Sequence, residues 1–282
     1  MAKKEVALRE ERVDDLIPFG ETPDYLGDSK ADGLEGLDRK DFKIPRIKLL
    51  QPLNPEVQTF QGKAIPGEFW HTGANLSLGD RFNIVVCGVN KRVIVWAPRE
   101  SGGGMLALSR NGSKWEIGGN TKHSVKIRNV KSPIVWDTKG SVDASGLLEW
   151  GTYNPDDESS GPAAQLAYEY LVYLPDRPEL SPVVLGLFRT ALPNARQFNT
   201  ALLMLKKPTQ SVVVKCFAQA KSSDDNEWWV PNFELKGWAP QPVFALCKEI
   251  YERNKEYEVE YEDENASHQQ AKEKKVKETD AF

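Results

Sequence analysis

Between Arg81 and Asp137 the chain is built from short, β-branched runs separated by turn residues, a pattern that leaves no room for long helices. FNIVVCGV (Phe82 to Val89) and RVIVW (Arg92 to Trp96) read as a hairpin or as one long strand with a bulge at Gly88. MLALS, RNG and SKWEI (Met105 to Ile117) predict a hairpin, because Asn111-Gly112 populates the two positive-φ positions of a tight turn. SVKIR (Ser124 to Arg128) alternates at period two, setting Lys126 and Arg128 on one face and Val125 and Ile127 on the other. PIVWD (Pro133 to Asp137) follows. Several short strands with few helices between them predict a mainly β fold of the α+β class, an antiparallel barrel or sandwich.

The flanking sequence extends this pattern. IPRIKLLQP (Ile44 to Pro52) predicts a short strand bounded by prolines, and Pro66-Gly67 a turn. AYEYLVYLP (Ala167 to Pro175) and PVVLGLFRT (Pro182 to Thr190) read as a buried hairpin pair. SVVVKCFAQA (Ser211 to Ala220) and EWWVPNFEL (Glu227 to Leu235) read as two further strands. Two helices are expected. In Pro193 to Lys207, Ala195, Phe198, Ala201, Leu202 and Leu205 form an apolar stripe, and Gln241 to Lys255 carries Phe244, Cys247, Ile250 and Tyr251 on one face. Residues 1–40 read as an acidic flexible leader, 41–255 as one β-rich domain, and 256–282 as a disordered acidic tail.

Composition narrows the function classes. At 282 residues and 40% hydrophobic content the chain can bury a substantial core. No apolar run approaches the roughly 18 to 20 residues of a membrane helix, and MAKKEVALREERVDD lacks the apolar segment of a signal peptide, so a cytoplasmic location is expected. Cys87, Cys216 and Cys247 sit in apolar stretches and read as buried free thiols. His71, His123 and His268 are far apart and lack metal-site spacing, and no nucleophile elbow, P-loop or dinucleotide fingerprint occurs. Gly102 to Gly104 reads as a hairpin loop, and Asp156, Asp157 and Glu158 as a solvated acidic loop. The expectation is a binding protein rather than an enzyme, with no cofactor and no metal.

The charge is segregated. Residues 81–139 carry eleven Lys/Arg against three acids, whereas residues 1–38 hold eleven acids and five bases and residues 252–282 ten acids and six bases. A basic centre between acidic ends favours a polyanionic partner. Aromatics are interleaved with these bases: Trp96 near Arg92, Trp115 beside Lys114, Trp136 between Lys131 and Lys139, and Trp228-Trp229 after the strand bearing Lys215. Single-stranded nucleic acid needs this combination, since cations follow phosphates while aromatic faces stack unpaired bases. The candidate binding residues are Arg92, Trp96, Lys114, Trp115, Lys122, Lys126, Arg128, Lys131, Trp136, Lys215 and Trp229. Each Trp also fits a core position on an alternating strand. Trp228 and Trp229 cannot both face inward on a regular strand, so one must be exposed or covered by another element.

The order IPRIKLLQPLNPEV, PGEFW, a basic β-rich region, ARQFNTALL, WWVPNFELKGW, a final helix and an acidic tail resembles the single-stranded DNA-binding proteins of tailed-bacteriophage replication and recombination clusters. The resemblance covers roughly residues 44–255. It implies an OB-fold-like antiparallel barrel elaborated with extra strands and two helices. It also implies sequence-independent binding that protects single-stranded DNA in a host cytoplasm. The terminal TDAF is similar to the acidic, Phe-ending tips of such proteins, which makes Asp280 and Phe282 candidates for docking phage or host replication and recombination proteins. Homo-oligomerisation is compatible with this reading. The alternatives are a phage structural or assembly protein with no nucleic-acid role and a DNA-processing enzyme.

Overall fold

The computed structural model describes Gly33, Gly36 and residues 43–223 and 226–254, and those from Ile44 onward belong to one unit. The expected leader, apart from its two glycines, and the acidic tail with Asp280 and Phe282 fall outside the described residues. The strands are β1 Arg46–Leu49, β2 Phe69–His71, β3 Leu76–Gly79, β4 Arg81–Trp96, β5 Met105–Ser109, β6 Lys122–Val125, β7 Ile134–Asp137, β8 Ala164–Tyr173, β9 Val183–Phe188, β10 Val212–Ser223 and β11 Asn226–Trp238. Among the described residues three α-helices join them, α1 Pro55–Thr59, α2 Leu192–Met204 and α3 Gln241–Asn254, with short 3-10 turns between. Among the described residues no helix is long and apolar enough to cross a membrane.

The main sheet runs β11-β10-β4-β8-β9-β1-β2-β3 and curls into a half-barrel, with β5 added beside β4. β4 is the spine. Its first residues pair with β10 (Val85 with Val213), its last with β5 (Ile94 with Leu108), and β8 pairs with it from Val85 to Val95. The two β-branched runs therefore form one strand, with a bulge between Val86 and Gly88. Gly88 leaves room there for α3, since a Cβ would stand 3.1 Å from the Tyr251 ring, which would have to give by a few tenths of an ångström. The pairing is antiparallel except between β1 and β9, where Arg46 pairs with Val184 in parallel. A short proline-bounded run and a distant hairpin strand gave no sequence signal for that pairing.

Period-two alternation decides what each face of the sheet buries. Ile84, Val86, Tyr170, Val172, Val212, Val214 and Cys216 turn to the face covered by α2, whose Ala195, Phe198 and Leu202 are buried against them. Tyr170 donates to Asn199 Oδ1 at 2.7 Å, and Phe198 stacks on Phe233 with ring centroids 4.1 Å apart. Val85, Cys87 and Tyr173 turn the other way and meet Cys247, Val243 and Ile250 of α3. All three cysteines are buried free thiols. The second half of β4 contributes Val93 and Val95 to a separate cluster with Ala107, Val125, Ile127, Ile134, Trp136, Val142 and Leu147.

The expected Met105 to Ile117 hairpin reduces to one bridge, Leu108 with Ile117. Asn111 Oδ1 accepts from the Ser113 and Lys114 amides, so Asn111 turns the chain through its side chain instead of starting a two-residue hairpin turn. Gly102 to Gly104 do form the hairpin loop between β4 and β5, each at positive φ.

Candidate nucleic-acid interface

β6 and β7 form a two-stranded ribbon apart from the main sheet, pairing Lys122 with Asp137 and Ser124 with Val135. Its inner face is fixed by burial: Val125, Ile127, Ile134 and Trp136 pack onto Val93, Val95 and Ala107. The outer face follows from the alternation, which leaves Lys122, Ser124, Lys126, Arg128 and Val135 exposed. The loop after β4 clamps the ribbon. Ser101 Oγ donates to the Lys126 carbonyl at 2.5 Å, and the Arg128 amide donates to Glu100 Oε2 at 2.9 Å. Thr138 Oγ1 donates to the Gly118 carbonyl at 2.6 Å and ties the segment carrying Lys114 and Trp115 to the ribbon's other end.

Lys114, Lys122, Lys126, Arg128, Lys131 and Lys139 are all exposed. None of them forms a salt bridge among the described residues; elsewhere Arg46, Lys48, Arg81, Arg92, Arg177, Lys215 and Lys236 do, while Arg196, Lys206, Lys207, Lys221 and Lys248 are exposed without one. The nearby acids are already engaged: Glu116 pairs with Arg110 at 2.8 Å, Glu100 holds the Arg128 amide, and Asp137 Oδ1 accepts from the Lys139 amide at 2.9 Å. The result is a surface with an excess of positive charge on a fixed scaffold.

A family model for Pam3 phage gp34-like proteins matches residues 14–260. The chain belongs to this family. Comparisons with curated proteins and with solved structures found no match.

In this member of the family the expected site residues divide. Lys114, Trp115, Lys122, Lys126, Arg128 and Lys131 are brought together on the ribbon and its flank, Trp115 half-buried against the cluster beneath. Trp96 closes β4 and is likewise half-buried. Arg92 is a correction. It is 1% exposed, and its Nε makes a 2.5 Å ion contact with Glu169, which also accepts from Arg46 at 3.0 Å, so it cannot reach a phosphate. Trp136 is a second correction. It is 2% exposed, packs against Tyr153 and donates Nε1–H to the Thr152 carbonyl at 2.9 Å, so no face is left for a base. Trp229 is half-buried on Gly67, where a Cβ would stand 2.8 Å from its Nε1. That is the covered outcome foreseen for one of the adjacent tryptophans. Lys215 pairs with Asn83 near the start of β4 and lies 3.8 Å from Glu234, away from the ribbon.

Two exposed apolar groups escaped the sequence reading. Trp150, 74% exposed, stands two residues before Thr152 in a loop with no strand alternation, bracketed by Gly146 and Gly151. Val135, 56% exposed, shares the ribbon's outer face with the cations. For Val135 the signal was present, since it alternates with buried Ile134 and Trp136. Among the described residues no group of three or more His, Cys, Asp or Glu side chains is placed to hold a metal ion.

Proposed function

We propose that the chain is a sequence-independent single-stranded DNA-binding protein that protects exposed strands and acts without catalysis. The observation that carries this reading is the ribbon surface, where six exposed cations lack any ion-pair partner among the described residues. Membership in a phage family and a curled, mainly β half-barrel sheet fit an elaborated OB-like scaffold, which positions such a surface for a strand. Phosphates follow Lys122, Lys126 and Arg128 along the ribbon, with Lys114, Lys131 and Lys139 at its flanks. Trp96, Trp115 and Trp150 are aromatic groups of this half with surface to offer a base. The terminal segment with Asp280 and Phe282 recruits phage or host replication and recombination proteins.

Binding to a labelled oligothymidine at several salt concentrations tests this. Six phosphate contacts predict a slope of log affinity against log salt of roughly −4 for single strands. Absence of binding at low salt overturns the reading in favour of a phage assembly protein. Release of cleaved product with added magnesium points to a processing enzyme instead.

A further inference from the structure

The outer edge of β11 is closed position by position along its first part and open at Leu235. In an antiparallel pair, alternate residues turn their N–H and C=O away from the partner strand. On β11 these are the odd-numbered residues, and three in succession are occupied. The Trp229 amide donates to Gln51 Oε1 at 3.1 Å, while Gln51 Nε2 donates to the Trp229 carbonyl at 3.0 Å. Pro231 has no N–H, and its carbonyl accepts from Asn194 Nδ2 at 2.9 Å. The Phe233 amide donates to Asn232 Oδ1 at 2.8 Å. Leu235 is next in this series, and from Glu234 to Trp238 every residue is exposed.

Natural sheets guard their edges against further pairing. Here the guarding stops where apolar surface begins. α2 lies alongside the guarded part of β11, with Asn194 at Pro231 and Phe198 on Phe233. Beyond it Trp238, on the same sheet face as its cross-strand neighbour Val212, is 64% exposed.

We propose that β11 pairs antiparallel with β11 of a second copy of this chain, about a two-fold axis at Leu235. The charges choose this occupant. Glu234 and Lys236 flank the centre, so the two-fold sets Glu234 of one copy opposite Lys236 of the partner subunit, and the reverse. The outward N–H and C=O of Leu235 then bond reciprocally to the same groups of its mate. Lys236 is the extra residue of a bulge facing Val213 and Val214, which keeps the paired stretch short. Leu235 and Trp238 from both copies lie on one face and supply the apolar part of the contact.

Sedimentation equilibrium of the full chain without nucleic acid tests this, with a dimer expected. Glu234→Lys and Lys236→Glu each set like charges opposite one another twice, so each is expected to weaken association roughly tenfold, and the double exchange to restore it. Leu235→Pro removes only an outward N–H. It should abolish the dimer while melting temperature and circular dichroism, which report the β10–β11 ladder, stay unchanged. A monomer at the highest soluble concentration, a dimer that tolerates Leu235→Pro, or a double exchange weaker than both single variants would overturn the proposal.

Discussion

The two halves of β4 treat charge in opposite ways. Along and beside the first half several bases are neutralised, Arg81 by Asp80, Lys215 by Glu234, and Arg92 together with Arg46 by Glu169 at the sheet's middle, although Arg196, Lys206, Lys207, Lys221 and Lys248 are exposed with no salt bridge among the described residues. Along the second half the core is covered by a ribbon and loops rather than helices, and the ribbon's cations stay unpaired at the surface. An unpaired surface cation costs nothing in water, whereas a buried one must be matched. Stability neither requires nor forbids the ribbon charges, and the proposed function assigns them to the phosphates of a strand.

The largest expected effect sharpens that contrast at the junction. Glu169 is the carboxylate that two guanidiniums share, and with Arg92 it is almost fully enclosed. Glu169→Ala should lower stability by about 3 to 5 kcal/mol, read as a shift in urea midpoint, since removing one side of a buried pair leaves charge uncompensated. Arg92→Ala should cost less, because Glu169 keeps Arg46. If Arg92→Ala instead leaves the midpoint unchanged and selectively weakens oligonucleotide binding, Arg92 belongs to the interface after all.

Trp136 and Trp150 make the next test, one tryptophan beneath the ribbon and one on the surface. Trp136→Ala empties a core position and should cost about 3 to 5 kcal/mol. Trp150→Ala should change stability by no more than about 0.5 kcal/mol. If Trp150 stacks on bases, its removal lowers oligothymidine affinity by about 1 to 3 kcal/mol and reduces fluorescence quenching. Equal stability losses in both variants would contradict the exposure on which this contrast rests.

What the sequence made legible was local. Alternation in SVKIR separated Lys126 and Arg128 from Val125 and Ile127 correctly, even though β6 ends at Val125 and the last residues hold no ladder. The stripe of α2 named Ala195, Phe198 and Leu202 as buried. Long-range pairing was not legible. Nothing in RVIVW shows that Arg92 faces a carboxylate on β8, and nothing in IPRIKLL shows that β1 joins β9 in parallel. The Trp136 ambiguity had the same origin. Its alternation fits a core or a surface face equally well, and only the packing of the ribbon on β4 and β5 decides which.

A smaller effect concerns the ribbon alone. Lys126→Ala and Arg128→Ala make no salt bridge to lose, so melting temperature should stay where it is. Each should reduce the salt slope of binding by roughly 0.7 if its side chain follows a phosphate. Neutralising Arg81 or Lys215 in the other half should leave that slope unaltered. A slope that falls equally for both sets would spread the interface over the whole half-barrel and end the distinction between the halves.

The smallest expected effect tests the neutralised half through a histidine. His71 on β2 is 3% exposed, with Nε2 3.1 Å from the Leu180 carbonyl and Nδ1 accepting from the Ala74 amide at 3.0 Å. The neutral ring, protonated at Nε2, satisfies both contacts. A second proton at Nδ1 would face an N–H donor. Burial is the main cause that holds its pKa below the ordinary 6.5, with the charge of Arg177 acting in the same direction. Above that value the ring is neutral in both folded and unfolded chains, and its contribution to stability is complete. As pH falls through 6.5 the unfolded chain takes up a proton that the folded chain resists, so stability declines until the folded pKa is reached. Thermal melts should therefore show a midpoint that drops as pH is lowered below neutrality, before most carboxylates titrate. His71→Asn, normalised to its own midpoint at the higher pH, should show a shallower drop. An identical pH slope in the variant would mean that His71 takes up its proton as readily in the folded as in the unfolded chain, so that its burial carries no cost to the charged ring.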